Sequence, residues 1–138
     1  MPRVYLDSNV FFYAKIMDGA FGKSCSNVLR KVASGALEAS TSALAAVEVA
    51  NTLRKYGLAK EVTAEVRAIF SLGMEVYHLD ATDVREAAEI FVEANIGPYD
   101  CAHAAIMRRN GLKEIISADK EFDKIKWLKR LDPRSVGE

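Results

Sequence analysis

The sequence predicts an α/β fold, a three-layer α/β/α sandwich around a mainly parallel central sheet. Two observations carry this. Short β-prone runs bounded by turn-forming residues alternate along the chain with longer stretches whose apolar residues recur at spacings of three and four. Parallel strands require crossovers, so the alternation places helices on both faces of one sheet. At 138 residues, half of them hydrophobic and 28% charged, the chain is sized for a single domain, 1–138, with one sizeable core.

Val4, Tyr5 and Leu6 form a short β-prone run that ends in Asp7, Ser8 and Asn9, residue types that favour turns and helix caps. This reads as a strand passing into a helix. In KSCSNVLRKVASG the residues Cys25, Val28, Leu29 and Val32 make an amphipathic stripe, with Gly35 placed to end the helix. A short strand over Leu37–Ser40 follows, and Thr41 or Ser42 caps a helix through ALAAVEVANTLRKYG. Lys60–Leu72 is a further helix, Met74–Leu79 a strand, and Thr82–Ala94 a helix with acids in its first turn, where the helix dipole favours them. Pro98 suits a first helical position, opening the helix YDCAHAAIMRRNG, which Gly111 ends. Glu114–Ser117 is the next strand, DKEFDKI starts a short helix, and Leu131, Asp132 and Pro133 hold a last edge strand that the proline stops.

Composition narrows the function classes. No apolar run approaches the roughly 20 residues that span a bilayer, and the first residues, MPRVYLDSN, lack the pattern of a signal peptide; a cytoplasmic protein is expected. Cys25 and Cys101 are isolated, which favours free thiols over a disulfide or a zinc site. The formal net charge is zero, against a broad electrostatic grip on nucleic acid. Locally the balance shifts: nine Lys or Arg face six Asp or Glu from Arg108 onward, whereas Glu75–Glu93 holds six acids and only Arg85 as a base.

In an open α/β sheet the ligand crevice lies beyond the carboxyl ends of the strands, where Asp7 and Asp119 fall. Asp7 fits either a helix N-cap or a ligand. Glu48 sits in the apolar middle of ALAAVEVAN, so it faces solvent or needs a partner, because an unpaired buried charge costs several kcal/mol, on the order of the desolvation of an ion. Asp100 lies in a first helical turn, where the dipole alone could account for it. In ISADKEFD, Asp119 and Asp123 are four apart and would share a helical face, with Glu121 pointing elsewhere. Gathered in one crevice, such carboxylates need raised pKa values or a cation. Oxygen ligands without cysteine select Mg²⁺ or Mn²⁺ over Zn²⁺. Ser8 and Ser117, each beside an acid at a strand end, can orient carboxylates through their hydroxyls. His103, one turn after Asp100, could face the crevice or sit in the core, and it is not read as catalytic.

The segments YLDSNVFFY, SALAAVEVANTL, YDCAHAAIM and SADKEF, in this order and in a chain of this size, resemble the PIN domain family and more narrowly its VapC-type toxin ribonucleases. The resemblance covers nearly the whole chain. It implies a PIN-like fold and an acidic site of Asp7, Glu48, Asp100 and Asp119, with Asp123 as a fifth member and Ser8 and Ser117 supporting. It also implies metal-dependent hydrolysis of RNA that leaves 5′-phosphate and 3′-hydroxyl ends, with Arg108, Arg109 and Lys120 available to the RNA backbone. A cognate antitoxin and a homodimer are further implications, the latter with Val62–Leu72 offering a face. Two alternatives stand beside it. A haloacid dehalogenase-type phosphatase needs a second aspartate two residues after the first, where this chain has Asn9. A PIN-like module that binds RNA or protein without cutting it would need no cation.

Overall fold

The structure, a computed structural model, describes residues 3–138. Five strands form one sheet: β1 (Val4–Leu6), β2 (Ala39–Ser42), β3 (Glu75–Tyr77), β4 (Glu114–Ile116) and β5 (Lys129–Leu131). Their order is β3-β2-β1-β4-β5, and every pairing is parallel. The crossovers are α1 (Ser8–Ile16) and α2 (Gly22–Ala33) after β1, α3 (Ala43–Lys55) and α4 (Val62–Phe70) after β2, and α5 (Ala81–Ala94) and α6 (Pro98–Arg109) after β3. A 3₁₀ turn over Lys120–Lys124 joins β4 to β5, and the short α7 (Pro133–Val136) follows. Among the described residues no helix is long and apolar enough to cross a membrane.

The expected three layers follow from the two-residue period of a strand. Along β1, Val4 and Leu6 point into a core shared with Val10, Phe11, Cys25, Val28, Val49 and Leu53, while Tyr5 points into the opposite core with Ile90, Ile106 and Met107. On β4, Ile115 and Ile116 divide between the same two cores. Parallel strands covered on both faces need apolar side chains on both, which is why VYL and EII read as continuous runs. Val62, Ile69 and Leu72 pack into the core beside α3. Both cysteines are buried free thiols.

Three local expectations are corrected. Strand β2 is Ala39–Ser42, two residues later than the polarity of ASTS indicates. Its buried hydroxyls are satisfied by the neighbouring strand, Ser40 donating to the Val4 carbonyl at 3.1 Å and Thr41 to the Leu6 carbonyl at 2.8 Å. Ser42 ends the strand and also caps α3, accepting from the Ala45 N–H. The helix expected over 60–72 begins as a 3₁₀ turn, Ala59–Glu61, before α4. The last edge strand is Lys129–Leu131: Asp132 caps α7 by accepting from the Arg134 N–H, and Pro133 is its first residue.

The chain winds outward from β1 to β3, then returns to add β4 and β5 on the other side. Neighbouring strands β1 and β4 therefore carry their crossovers in opposite directions, and a crevice opens beyond their carboxyl ends.

Candidate functional site

Asp7 follows the last residue of β1 and caps α1, so the end of a central strand and a helix N-terminus fix its backbone. It is 4% exposed. Its carboxylate accepts from the Ser8 N–H at 2.7 Å, the Ser117 hydroxyl at 2.6 Å and the Asn9 amide at 3.2 Å. Ser117 in turn accepts from Asn9 at 3.1 Å and from the Asp119 N–H at 3.0 Å, while Asn9 accepts from the Ala118 N–H at 3.3 Å. These bonds lace the ends of β1 and β4 together. Burial raises the Asp7 pKa above the usual carboxylate range. Glu48 adds to the rise, while His103 and the bonds from Ser117 and Ser8 oppose it.

Asp100 lies in the first turn of α6, behind Pro98. Its pKa is pushed up to about 7 by burial, by the negative charges of Asp119 and Asp7, and by a hydrogen bond with Asp119, against the pull of His103. Asp119 begins the 3₁₀ turn and accepts from the Glu121 N–H at 3.0 Å. From the middle of α3, Glu48 reaches the fully buried His103 of α6, whose Nε2 is hydrogen-bonded to Glu48 Oε1 and lies 3.7 Å from Asp7 Oδ1. His103 Nδ1 is 2.6 Å from the Tyr5 hydroxyl. Burial lowers the His103 pKa, but the Glu48 bond and the charges of Asp7, Glu48 and Asp100 outweigh it, and the net shift is upward.

Ligand-type atoms of Asp7, Glu48 and His103 all lie within 4.8 Å of one another. With Asp100 crowded by Asp7 and Asp119, the crevice concentrates negative charge that protons offset only in part. Such a donor set, carboxylate oxygens with one imidazole beneath them, could hold a metal ion.

Asp123 stands apart. It is exposed, and Arg130 grips its carboxylate at 3.0 and 3.3 Å while donating to the Ser117 carbonyl at 3.0 Å. The expectation that Asp119 and Asp123 share a face is corrected by the turn's geometry: in a 3₁₀ turn residues three apart eclipse, so a spacing of four rotates the side chain away. Ser8 contributes its backbone N–H to Asp7. Arg109 is tied to Asp83 at 2.7 Å, and Arg108 is bonded to Glu86 at 2.8 Å and stacked over Trp127. Lys120 is exposed beside Asp119. The sequence reading gives Asn9 a turn or cap role and uses it to exclude a phosphatase, and it places Tyr5 only as a strand residue. The signal for Asn9 was its place two residues after a strand-end aspartate, within reach of the next strand's loop.

A family model for the PIN domain matches residues 4–128. No curated protein sequence matches significantly. Among solved structures, the chain is similar to VapC20 of Mycobacterium tuberculosis, a sarcin-ricin loop cleaving toxin, at TM-score 0.73 and 19% identity over 87% of this chain and 92% of that one. It is similar to VapBC of Salmonella typhimurium, solved bound to DNA, at TM-score 0.71 and 21% identity over 96% and 99%. VapBC2 of Rickettsia felis, bound to a DNA fragment from its promoter, gives TM-score 0.71 and 17% identity over 93% and 96%. Identities this low speak for the fold, and the family match spans most of the sequence: the chain belongs to the PIN domain family.

Proposed function

We propose that this protein is a metal-dependent endoribonuclease that hydrolyses RNA phosphodiester bonds, the toxin of a toxin–antitoxin pair. The observation that carries the reading is the gathering of Asp7, Glu48 and Asp119 at the crevice between β1 and β4: ligand atoms of Asp7 and Glu48 lie within 4.8 Å of one another, and Ser117 links the Asp7 carboxylate to the Asp119 N–H. Carboxylates gathered this closely repel one another unless a proton or a cation stands between them, and the raised Asp100 pKa agrees with that crowding. The family supports the nuclease reading, and the M. tuberculosis neighbour is a toxin that cuts the sarcin-ricin loop.

In this reading Asp7, Glu48, Asp100 and Asp119 hold Mg²⁺ or Mn²⁺, since hard oxygen donors suit those ions. When bound, the ion supplies Lewis-acid chemistry, making water a stronger acid and offsetting the negative charge that develops on the phosphoryl oxygens. Ser117, Asn9 and the Ser8 N–H keep the Asp7 carboxylate in one rotamer, so its oxygens need no rearrangement. With a cation held there, Asp100 would serve as a carboxylate ligand beside Asp7 and Asp119. Asp123 falls outside the ligand set because Arg130 occupies its carboxylate, and that pair instead supports the Ser117 loop through the Ser117 carbonyl. Lys120 is the cation best placed to meet a phosphate, since Arg108 and Arg109 are engaged with α5. Attack by water rather than by the RNA 2′-hydroxyl leaves 5′-phosphate and 3′-hydroxyl ends. An antitoxin that covers the crevice belongs to the same reading, as two of the neighbours are VapBC assemblies. A homodimer belongs to it as well.

The test is incubation of a labelled structured RNA with the protein and Mn²⁺ or Mg²⁺, beside EDTA and Asp100→Asn controls, with mapping of product ends. Cleavage that needs both the metal and Asp100 and leaves 5′-phosphates is expected. Cleavage that persists in EDTA or in the variant would rule the site out.

A further inference from the structure

Beneath the crevice stands a column of buried polar side chains to which the ribonuclease reading gives no task. Tyr5 on β1, Ser42 at the end of β2 and His103 on α6 are each 0% exposed. The Tyr5 hydroxyl is 2.7 Å from Ser42 Oγ and 2.6 Å from His103 Nδ1, and the two rings meet edge to face with centroids 5.6 Å apart. Above them His103 Nε2 meets Glu48 Oε1. Buried hydroxyls and imidazoles are costly unless hydrogen-bonded, and here each is, so the column is a rigid connection from the central strand to Glu48.

The donors in this column can be assigned. A carboxylate only accepts, so the hydrogen of the bond to Glu48 sits on His103 Nε2. Nδ1 is satisfied by the Tyr5 hydroxyl whichever of the two donates. In this arrangement Nε2 directs its hydrogen at Glu48 and presents no lone pair to the crevice, although Asp7, Glu48 and His103 lie close enough to resemble a ligand triad. We infer that His103 is a positioning residue and not a metal ligand: backed by Tyr5, it holds the Glu48 carboxylate beside Asp7 so that the second Glu48 oxygen serves the cation. The inference rests on the metal site proposed above. Glu48 is the acid that needs such a hold, because it extends from mid-helix on three rotatable bonds, whereas Asp7, Asp100 and Asp119 are short side chains at helix or turn starts.

The experiment measures Mn²⁺ affinity by calorimetry for the wild type, Tyr5→Phe, His103→Leu and His103→Gln, with a thermal melt of each and a pulsed EPR spectrum of wild-type protein with Mn²⁺. His103→Leu should weaken Mn²⁺ about 10- to 100-fold and Tyr5→Phe by about 3- to 10-fold. His103→Gln, whose amide can still donate to Glu48, should recover part of the loss, which a purely structural role would not produce. The wild-type spectrum should show no nitrogen bound directly to Mn²⁺. A directly bound nitrogen would overturn the inference, as would wild-type affinity in His103→Leu. If His103→Leu does not fold, the spectrum and Tyr5→Phe decide the matter. Neither measurement uses RNA, so Mn²⁺ held through this column by a protein that cuts nothing would support the inference while ending the ribonuclease reading. A wild type that binds no Mn²⁺ would end both.

Discussion

Removing the Asp100 charge should stabilise the metal-free protein at pH 8. The Asp100 pKa is raised from 3.8 to about 7, so between roughly pH 4 and 7 the folded state binds more protons than the unfolded chain. Stability from this group is therefore full below pH 4 and is lost as pH rises through 7. Each pH unit is worth about 1.4 kcal/mol, which gives an upper bound of about 4 kcal/mol. Asp100 is only partly buried, so solvent screening reduces the expectation to about 2 kcal/mol. Asn is close in shape and cannot ionise. In EDTA at pH 8, Asp100→Asn should therefore melt roughly 6 to 8 °C above the wild type, taking about 3 to 4 °C per kcal/mol for a domain of this size. At pH 4 the two should melt together. Differential scanning calorimetry at both pH values checks this. A variant that melts at or below the wild type at pH 8 would refute the reasoning that the crevice is electrostatically strained without a cation.

Mn²⁺ at one hundred times its Kd should stabilise the wild type by about 2.7 kcal/mol, reversibly with EDTA; the gain should shrink toward pH 5, where protons compete for Asp100, and vanish in Asp7→Asn. Thermal shift in a pH series reads all three, and a shift that Asp7→Asn preserves would move the metal elsewhere. Ser117→Ala removes the 2.6 Å bond to Asp7 and the acceptor used by Asn9 and the Asp119 N–H, so it should cost about 1 to 3 kcal/mol and weaken Mn²⁺ at least roughly tenfold. Unchanged calorimetric affinity would show that Asp7 is oriented without it. Arg109→Ala strips the guanidinium from Asp83, which is 2% exposed, and should cost about 3 kcal/mol in urea denaturation with Mn²⁺ binding intact. A loss below about 1 kcal/mol would mean that the capping box at Asp80 and Asp83 holds that carboxylate unaided.

Local chemistry was readable where it is local in origin. VYL followed by DSN marks a buried strand passing into a capped helix whatever lies around it, and Pro98 opens α6 because its ring presets the dihedral. The reading slipped where a neighbour decides. Thr41 reads as a candidate helix cap until the Leu6 carbonyl receives its hydroxyl within β2. Lys129–Leu131 lacks apolar alternation, since a charged edge strand needs none. Asp119 and Asp123 seemed to share a face because the turn was taken as α-helical.

The sequence by itself determined the succession of strands and helices and the carboxylates that follow β1 and β4, Asp7 and Asp119. It could do so because each depends on residues within a turn or two. Only the tertiary structure decided which of these meet. Strand order β3-β2-β1-β4-β5 brings Asp7 to Ser117, and the crossing of α3 and α6 brings Glu48 to His103. It also gave Asp123 to Arg130 and buried His103 on Tyr5. Those contacts join residues far apart in the chain, set by how helices seat on a sheet, and no local pattern carries them.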